Sequence, residues 1–152
     1  MTEMGKRKIF IGADSAGYEL KEIIKDYITE KGYDVTDMGT DSSASCHYPK
    51  FASAVARRVQ ENPDTSFGIL VCGTGIGMSM TANKYKGIRA AVCSDTFSAR
   101  MTRNHNDANI LCLGARVIGQ GLAKDIVDLF LTNEFEGGRH KIRIDMISEI
   151  EK

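Results

Sequence analysis

This chain lacks an excess of charge of either sign, a paired-cysteine motif, a long apolar run and all but two prolines. Its twenty Lys and Arg balance twenty Asp and Glu, which argues against a broad basic face for nucleic acid and against a polybasic membrane anchor. Apolar stretches extend over only a few residues, far short of the ~20 that span a bilayer. The opening MTEMGKRK is basic with no apolar segment behind it, so no secretory signal is expected. Cys46, Cys72, Cys93 and Cys112 are widely spaced and form no CxxC pair, which excludes a zinc knuckle or a thioredoxin-type motif. Without an export signal, the thiols are expected to be reduced and the protein cytoplasmic. His47, His105 and His140 show no local metal-ligand spacing, and neither H-E-x-x-H nor an acidic calcium loop is present. No metal and no cofactor are therefore expected.

What is present points to one α/β domain over residues 1–152. At 152 residues the chain has one domain's length on the usual prior, and 42% hydrophobic content can build one sizeable core. Fifteen glycines with two prolines suit tight turns between strands and helices. Short apolar runs alternate with helix-period segments. Lys8–Gly12, Tyr33–Asp37, Phe67–Cys72, Ile88–Cys93 and Ile110–Leu113 read as strands. Cys93 and Cys112, inside such runs, read as core residues. Helical stripes carry Leu20, Ile23, Ile24, Tyr27 and Ile28 as far as Gly32, and Phe51, Val55 and Val59 as far as Pro63. A short helix through Lys84, another over Thr96–His105, and one through Leu122, Ile126, Leu129 and Phe130 follow. Ile142, Met146, Ile147 and Ile150 mark a last amphipathic helix after a Gly-Gly break. This alternation predicts a three-layer fold, a five-stranded parallel sheet with helices on both faces. Ligands of such sheets sit outside the carboxyl ends of the strands.

The most informative loop there is VCGTGIGMS, Val71–Ser79. Cys72 ends a buried strand, and Gly73, Gly75 and Gly77 leave backbone N–H groups uncovered behind it. Such donors can stabilise an anion or a developing oxyanion, and the same environment favours a thiolate. A thiolate beside an oxyanion hole suits nucleophilic attack or proton abstraction next to a carbonyl. An ordinary buried cysteine before a Gly-rich turn is the competing reading. The run is not a Walker A loop, and Met78 stands where G-x-G-x-x-G needs its third glycine. Met78 also replaces the arginine that a phosphocysteine mechanism would want.

Other candidates are individually weaker. Asp14 could hydrogen-bond substrate hydroxyls or cap the following helix, and position alone favours the cap; Ser15 is ambiguous in the same way. His105, in RNHNDAN, has the residue type of a proton shuttle, but a lone loop histidine is more often merely solvated. In EGGRHKIR, Glu136–Arg143, the i, i+4 pair Arg139 and Arg143 projects from one helix face. With His140 and the glycine-exposed helix terminus nearby, they suit a phosphate clamp; a solvated basic face is the alternative.

Together these segments resemble the ribose-5-phosphate isomerase B family, whose siblings are the galactose-6-phosphate isomerase subunits. VCGTGIGMS with TANK (Thr81–Lys84), RNHNDAN and EGGRHKIR carry the resemblance, supported by HYP (His47–Pro49) and GIRAAVCSD (Gly87–Asp95). It implies a Rossmann-like fold and a metal-independent aldose–ketose isomerase of sugar phosphates. It further implies a homodimer or dimer of dimers whose site is shared between subunits. By resemblance, Cys72 is the base that moves a proton between C2 and C1 through a cis-enediolate. Backbone N–H groups of Gly73, Gly75, Ile76 and Gly77, with Thr74, hold the enediolate oxygens. His105 matches the ring-opening acid, Asn106 and Tyr48 the sugar contacts, and Asp14 an assisting carboxylate. Arg139 and Arg143 match the phosphate-binding arginines and Arg116 a further basic contact.

The chain departs from the family at one point, having Asp14-Ser15 where most such ribose-5-phosphate isomerases carry Asp-His. In this it resembles one galactose-6-phosphate isomerase subunit, which lacks the base cysteine that this chain keeps. Ribose 5-phosphate and ribulose 5-phosphate are the expected pair. A six-carbon phosphate such as allose 6-phosphate or galactose 6-phosphate is the alternative, with room left by the smaller Ser15. A non-catalytic sugar-phosphate-binding subunit is the rival from another class.

Overall fold

A computed structural model describes residues 6–152; Met1–Gly5, the start of the segment expected to carry no export signal, lie outside the described residues. The run SFGILVC forms strand β3 (Ser66–Cys72), buried along its whole length. It pairs in parallel with β1 (Lys8–Ala13) on one side and β5 (Ile110–Gly114) on the other. The short strands β2 (Val35–Asp37) and β4 (Ala90–Val92) complete a parallel sheet in the order β2-β1-β3-β5-β4. The chain leaves β1 toward one edge and resumes at β3 toward the other, so the connections diverge between β1 and β3. A crevice opens at such a switch point.

Alternation along the strands sorts side chains into two cores. Ile9, Ile11, Phe67, Ile69, Val71, Leu111 and Leu113 face helices α1 (Tyr18–Glu30) and α5 (Gln120–Thr132), through Ile24, Ile28, Ile126 and Phe130. Phe10, Leu70, Cys72, Ile110 and Cys112 face α2 (Tyr48–Glu61) and α3 (Ile76–Ala82), through Phe51, Val55, Val59 and Met78. Gly68 lets α2 settle onto the sheet: a Cβ there would lie 2.7 Å from Val55 and 2.9 Å from Ile110. α4 (Thr96–Asn106) packs against α5, and α6 (Arg139–Ile150) packs against α4. No helix among the described residues is long and apolar enough to cross a membrane. The expected three-layer parallel fold, with Cys93 and Cys112 in its core, is the observed one.

The differences lie at edges and ends. β2 and β4 are shorter than Tyr33–Asp37 and Ile88–Cys93 because turns and side chains take the flanking backbone. Tyr33 N–H goes back to Ile28 at the end of α1, Ile88 N–H to Tyr85, and Arg89 N–H to the Asn109 side chain. The Asn83 amide bonds both backbone groups of Ala90 on the outer side of β4, at 2.8 and 3.0 Å. α3 stops at Ala82, before Lys84, because Lys84 and Tyr85 N–H groups turn to Thr81 and Ala82. In α6 the expected apolar stripe is reversed: Ile142, Met146, Ile147 and Ile150 are exposed, while His140 and Ile144 are buried. The helix meets α4 with the face that carries His140.

One charged residue is wholly buried under the carboxyl end of β2. Lys21, 0% exposed, donates to both Asp37 oxygens at 2.8 and 2.9 Å and to the Thr40 carbonyl. Burial works against the Asp37 carboxylate, but hydrogen bonds from Lys21, Lys25 and the Gly39 N–H outweigh it and hold Asp37 below its ordinary value. Asp37→Asn would leave the Lys21 ammonium underpaired, and a loss of ~2 kcal/mol in urea unfolding is expected. That is less than the ~3–5 kcal/mol of a fully buried pair, because Asp37 is partly exposed. A depressed folded value means the stabilisation is present above pH 3.8, the ordinary value, and fades as pH falls below it. The deficit of the variant should accordingly shrink on acidification.

Candidate active site

At the carboxyl ends of β1, β3 and β5 three loops converge on a cleft of about 470 Å³. Its walls are Asp14, Ala16, Tyr48, Cys72, Gly73, Thr74, Ile76, Gly77, Met80 and Arg116. The loops interlock through backbone hydrogen bonds. Asp14 N–H donates to Val71, Ala115 N–H to Cys72 and Arg116 N–H to Gly73. Gly75, at φ +84°, turns the chain into α3 against the backbone of Leu113.

Cys72 lies at the floor of this cleft, 5% exposed, and its Sγ accepts a hydrogen bond from Gly75 N–H at 3.1 Å. That donor favours sulfur bearing negative charge. Elsewhere in the core, burial pushes the Cys93 thiol up to about 11 and the Cys112 thiol well above its ordinary value. All four cysteines are free. Around Cys72, Ile76 N–H is turned to Thr74 Oγ1, whereas Gly77 N–H, in the first helical turn, has no intrahelical acceptor. Gly77 also makes room for Tyr48, since a Cβ there would lie 2.6 Å from the phenol ring. Asp14 is not the cap of α1, whose N-cap is Gly17. Its carboxylate accepts from Gly17 N–H at 3.0 Å, ahead of α1, and it walls the cleft.

Ser15 faces a neighbouring basin of about 390 Å³ with Glu19 and Gln120, and this basin shares Ala16 and Arg116 with the cleft. The remaining candidates lie elsewhere. His105 and Asn106 end α4; Arg139 and Arg143 open α6 and are exposed. Arg116, Arg139 and Arg143 form no ion pair among the described residues. Buried Arg103 anchors the end of α4, bonding Asp107 Oδ1 and the Ala108 carbonyl at 2.8 Å, and Asp107 closes the helix in the left-handed region. His140, read beside the arginines, turns away from solvent and stacks on His105, ring centroids 4.0 Å apart and planes within 8°. Burial holds His140 below its ordinary value, helped by His105, Arg139 and Arg143 and opposed by Glu136.

His105, Glu136 and His140 each offer one ligand atom within 4.8 Å of the others. Linear spacing conceals this cluster, because it joins the end of α4 to the loop before α6. Parallel stacked rings leave no point in the plane of both at bonding distance, so the arrangement is not that of a chelate. Glu136 was the residue least legible from sequence, along with Ala16 and Met80 in the cleft wall.

A thiol at a switch-point crevice, receiving the Gly75 N–H, suits proton-transfer or acyl-transfer chemistry. Residues 9–147 match the family model described as Ribose/Galactose Isomerase, and the chain belongs to that family of sugar-phosphate isomerases. It is 48% identical over 146 residues to ribose-5-phosphate isomerase B of Escherichia coli K12, covering 96% of this chain and 97% of the relative. The solved ribose-5-phosphate isomerase B of Clostridium thermocellum superposes with a TM-score of 0.92 at 53% identity, covering 95% of this chain and 97% of the other. That of Mycoplasma genitalium with bound ribulose-5-phosphate also gives 0.92, at 44% identity and 95% of each chain.

Gly77→Ala isolates the fit of Tyr48. Alanine favours the helix by about 0.5–1 kcal/mol, so melting should be unchanged or slightly raised. A crystal structure of the variant should show the Tyr48 ring displaced from the cleft; a ring left in place would refute the close approach.

Proposed function

We propose that this chain is a ribose-5-phosphate isomerase, interconverting ribose 5-phosphate and ribulose 5-phosphate with Cys72 as the base. The observation that carries the reading is Cys72 Sγ at the cleft floor, receiving the Gly75 N–H and flanked by Asp14 and Thr74. The aldose opens to its free aldehyde with His105 as acid and Asp14 assisting. The Cys72 thiolate takes the C2 proton and the electron pair moves onto the carbonyl oxygen as a cis-enediolate forms; the hydroxyl proton passes from O2 to O1, and the thiol returns its proton to C1 as the C2 carbonyl forms. The Gly73 and Gly77 N–H groups and the Thr74 hydroxyl meet the enediolate charge, while the Gly75 N–H supports the Cys72 sulfur and the Ile76 N–H is held by Thr74 Oγ1. Because these dipoles and the arginines supply the compensation, the mechanism calls for no metal ion. Tyr48 and Asn106 contact sugar hydroxyls, and Arg116, Arg139 and Arg143 hold the phosphate.

Within one chain the acid and two of the arginines lie outside the Cys72 cleft. The site is therefore read as shared, the chain acting as one domain in a homodimer or a dimer of dimers, with His105, Asn106, Arg139 and Arg143 supplied across the interface. Apolar residues exposed on α6 support such pairing. Four free cysteines, one of them the base, suit a reducing compartment, and the cytoplasm is the proposed location. Ser15 supports a second reading, a six-carbon phosphate, because the basin it lines adjoins the cleft at Arg116.

The reading is tested by turnover in EDTA with ribose, allose and galactose phosphates side by side. Cys72→Ala should lower turnover by about 10³-fold or more while sugar-phosphate affinity is retained. Ser15→His should reduce six-carbon relative to five-carbon turnover; an unchanged ratio removes the role given to Ser15. Binding without turnover in the unmodified protein would make this a binding subunit. The shared site has its own test: mixing inactive Cys72→Ala and Arg143→Ala chains, with subunit exchange, should restore about a quarter of full activity, since half the dimers then hold one intact site of two. No recovery would place all site residues on one subunit.

A further inference from the structure

Beside the proposed acid lies a small built structure that the mechanism above does not use. The His140 ring is buried and stacked on the partly exposed His105 ring at 4.0 Å. A single Glu136 oxygen stands 3.7 Å from His105 Nε2 and 3.6 Å from His140 Nε2. Glu136 is itself held in place, because its backbone N–H donates to the Asn104 carbonyl at 2.9 Å, one residue before His105. The loop entering it is tied to α4 as well, through Arg103 Nε donating to the Asn133 carbonyl at 3.2 Å.

We propose that Glu136 and His140 are positioning residues for His105, fixing the rotation of its ring and offsetting the charge it carries when protonated. The proposal rests on the reading of His105 as the ring-opening acid. An exposed imidazole at a helix end would otherwise sample several rotamers, and ring opening needs the proton aimed at one sugar oxygen. His140 supplies a flat, neutral surface: burial keeps it from becoming a second cation against His105. Glu136 supplies the opposing charge at the same edge of both rings. Neither residue touches the reacting atoms.

The chemistry provides a separation of roles. Ribose 5-phosphate is a ring and needs opening before enolisation. Ribulose 5-phosphate has its C5 oxygen phosphorylated and is acyclic, so exchange of its C1 proton needs the base alone. The experiment compares kcat for ribose 5-phosphate with the rate of deuterium entry at C1 of ribulose 5-phosphate in D2O, followed by NMR. Glu136→Gln and His140→Ala should each lower the first by about tenfold and the second by less than about twofold, with KM little changed. His140→Phe, which restores a stacking ring, should recover much of the loss seen with His140→Ala. Equal loss in both readouts would mean a merely structural role, and no loss in either would also overturn the proposal. His105→Ala separates the two levels: if it shows no split, the acid assignment itself fails. If it shows the split and its neighbours do not, only the positioning role fails.

Discussion

The loops that cap β3 and β5 meet with no side chain between them. A Cβ on Gly114 would lie 2.7 Å from the Thr74 carbonyl oxygen, and one on Gly17 would lie 2.2 Å from that of Val71. Gly75 turns at positive φ against the backbone of Leu113. These contacts bring residues 14, 72 and 116 to one cleft although the sequence separates them widely. The neighbouring loops also satisfy the Val71 and Cys72 carbonyls at the end of β3, and the Gly75 N–H is already set on the Cys72 sulfur. A site built from backbone in this way needs little rearrangement when charge develops in it.

Much of this was legible in the sequence, for reasons that differ by element. β3 and β5 are buried on both faces and read as near-continuous apolar runs. α1, α2 and α5 each cover one face of the sheet and keep a clean stripe. The edges were less legible because β2 and β4 end where turns and the side chain of Asn109 capture the backbone. α6 misled because the four apolar residues of its apparent stripe, Ile142, Met146, Ile147 and Ile150, are exposed, while His140 and Ile144 are buried. The Cys72 loop was readable because its chemistry is concentrated in nine consecutive residues. The Glu136–His140–His105 cluster was not, since it exists only once the loop before α6 folds back onto α4.

The distribution of charge follows the same division. Over the full sequence, cations and anions balance, and many of the cations are committed to partners. Lys21 and Lys25 are held by Asp37, Arg89 and Arg103 by Asp107, and Lys141 by Asp145. Arg116, Arg139 and Arg143 have none among the described residues. Arg116 at the cleft and Arg139 and Arg143 at the start of α6 therefore keep their guanidinium groups free to meet a phosphate.

The side chain of Asn83 has a consequence for how copies of this chain can meet. An exposed strand edge offers a template on which another chain can extend the sheet. On β4 the outward N–H and carbonyl of Ala90 are occupied by the Asn83 amide, which imitates one residue of a neighbouring strand. With only three residues in β4, little unpaired edge remains. Association through this side of the molecule is therefore directed to helical surfaces, where side-chain shape selects the partner, and away from open-ended sheet growth.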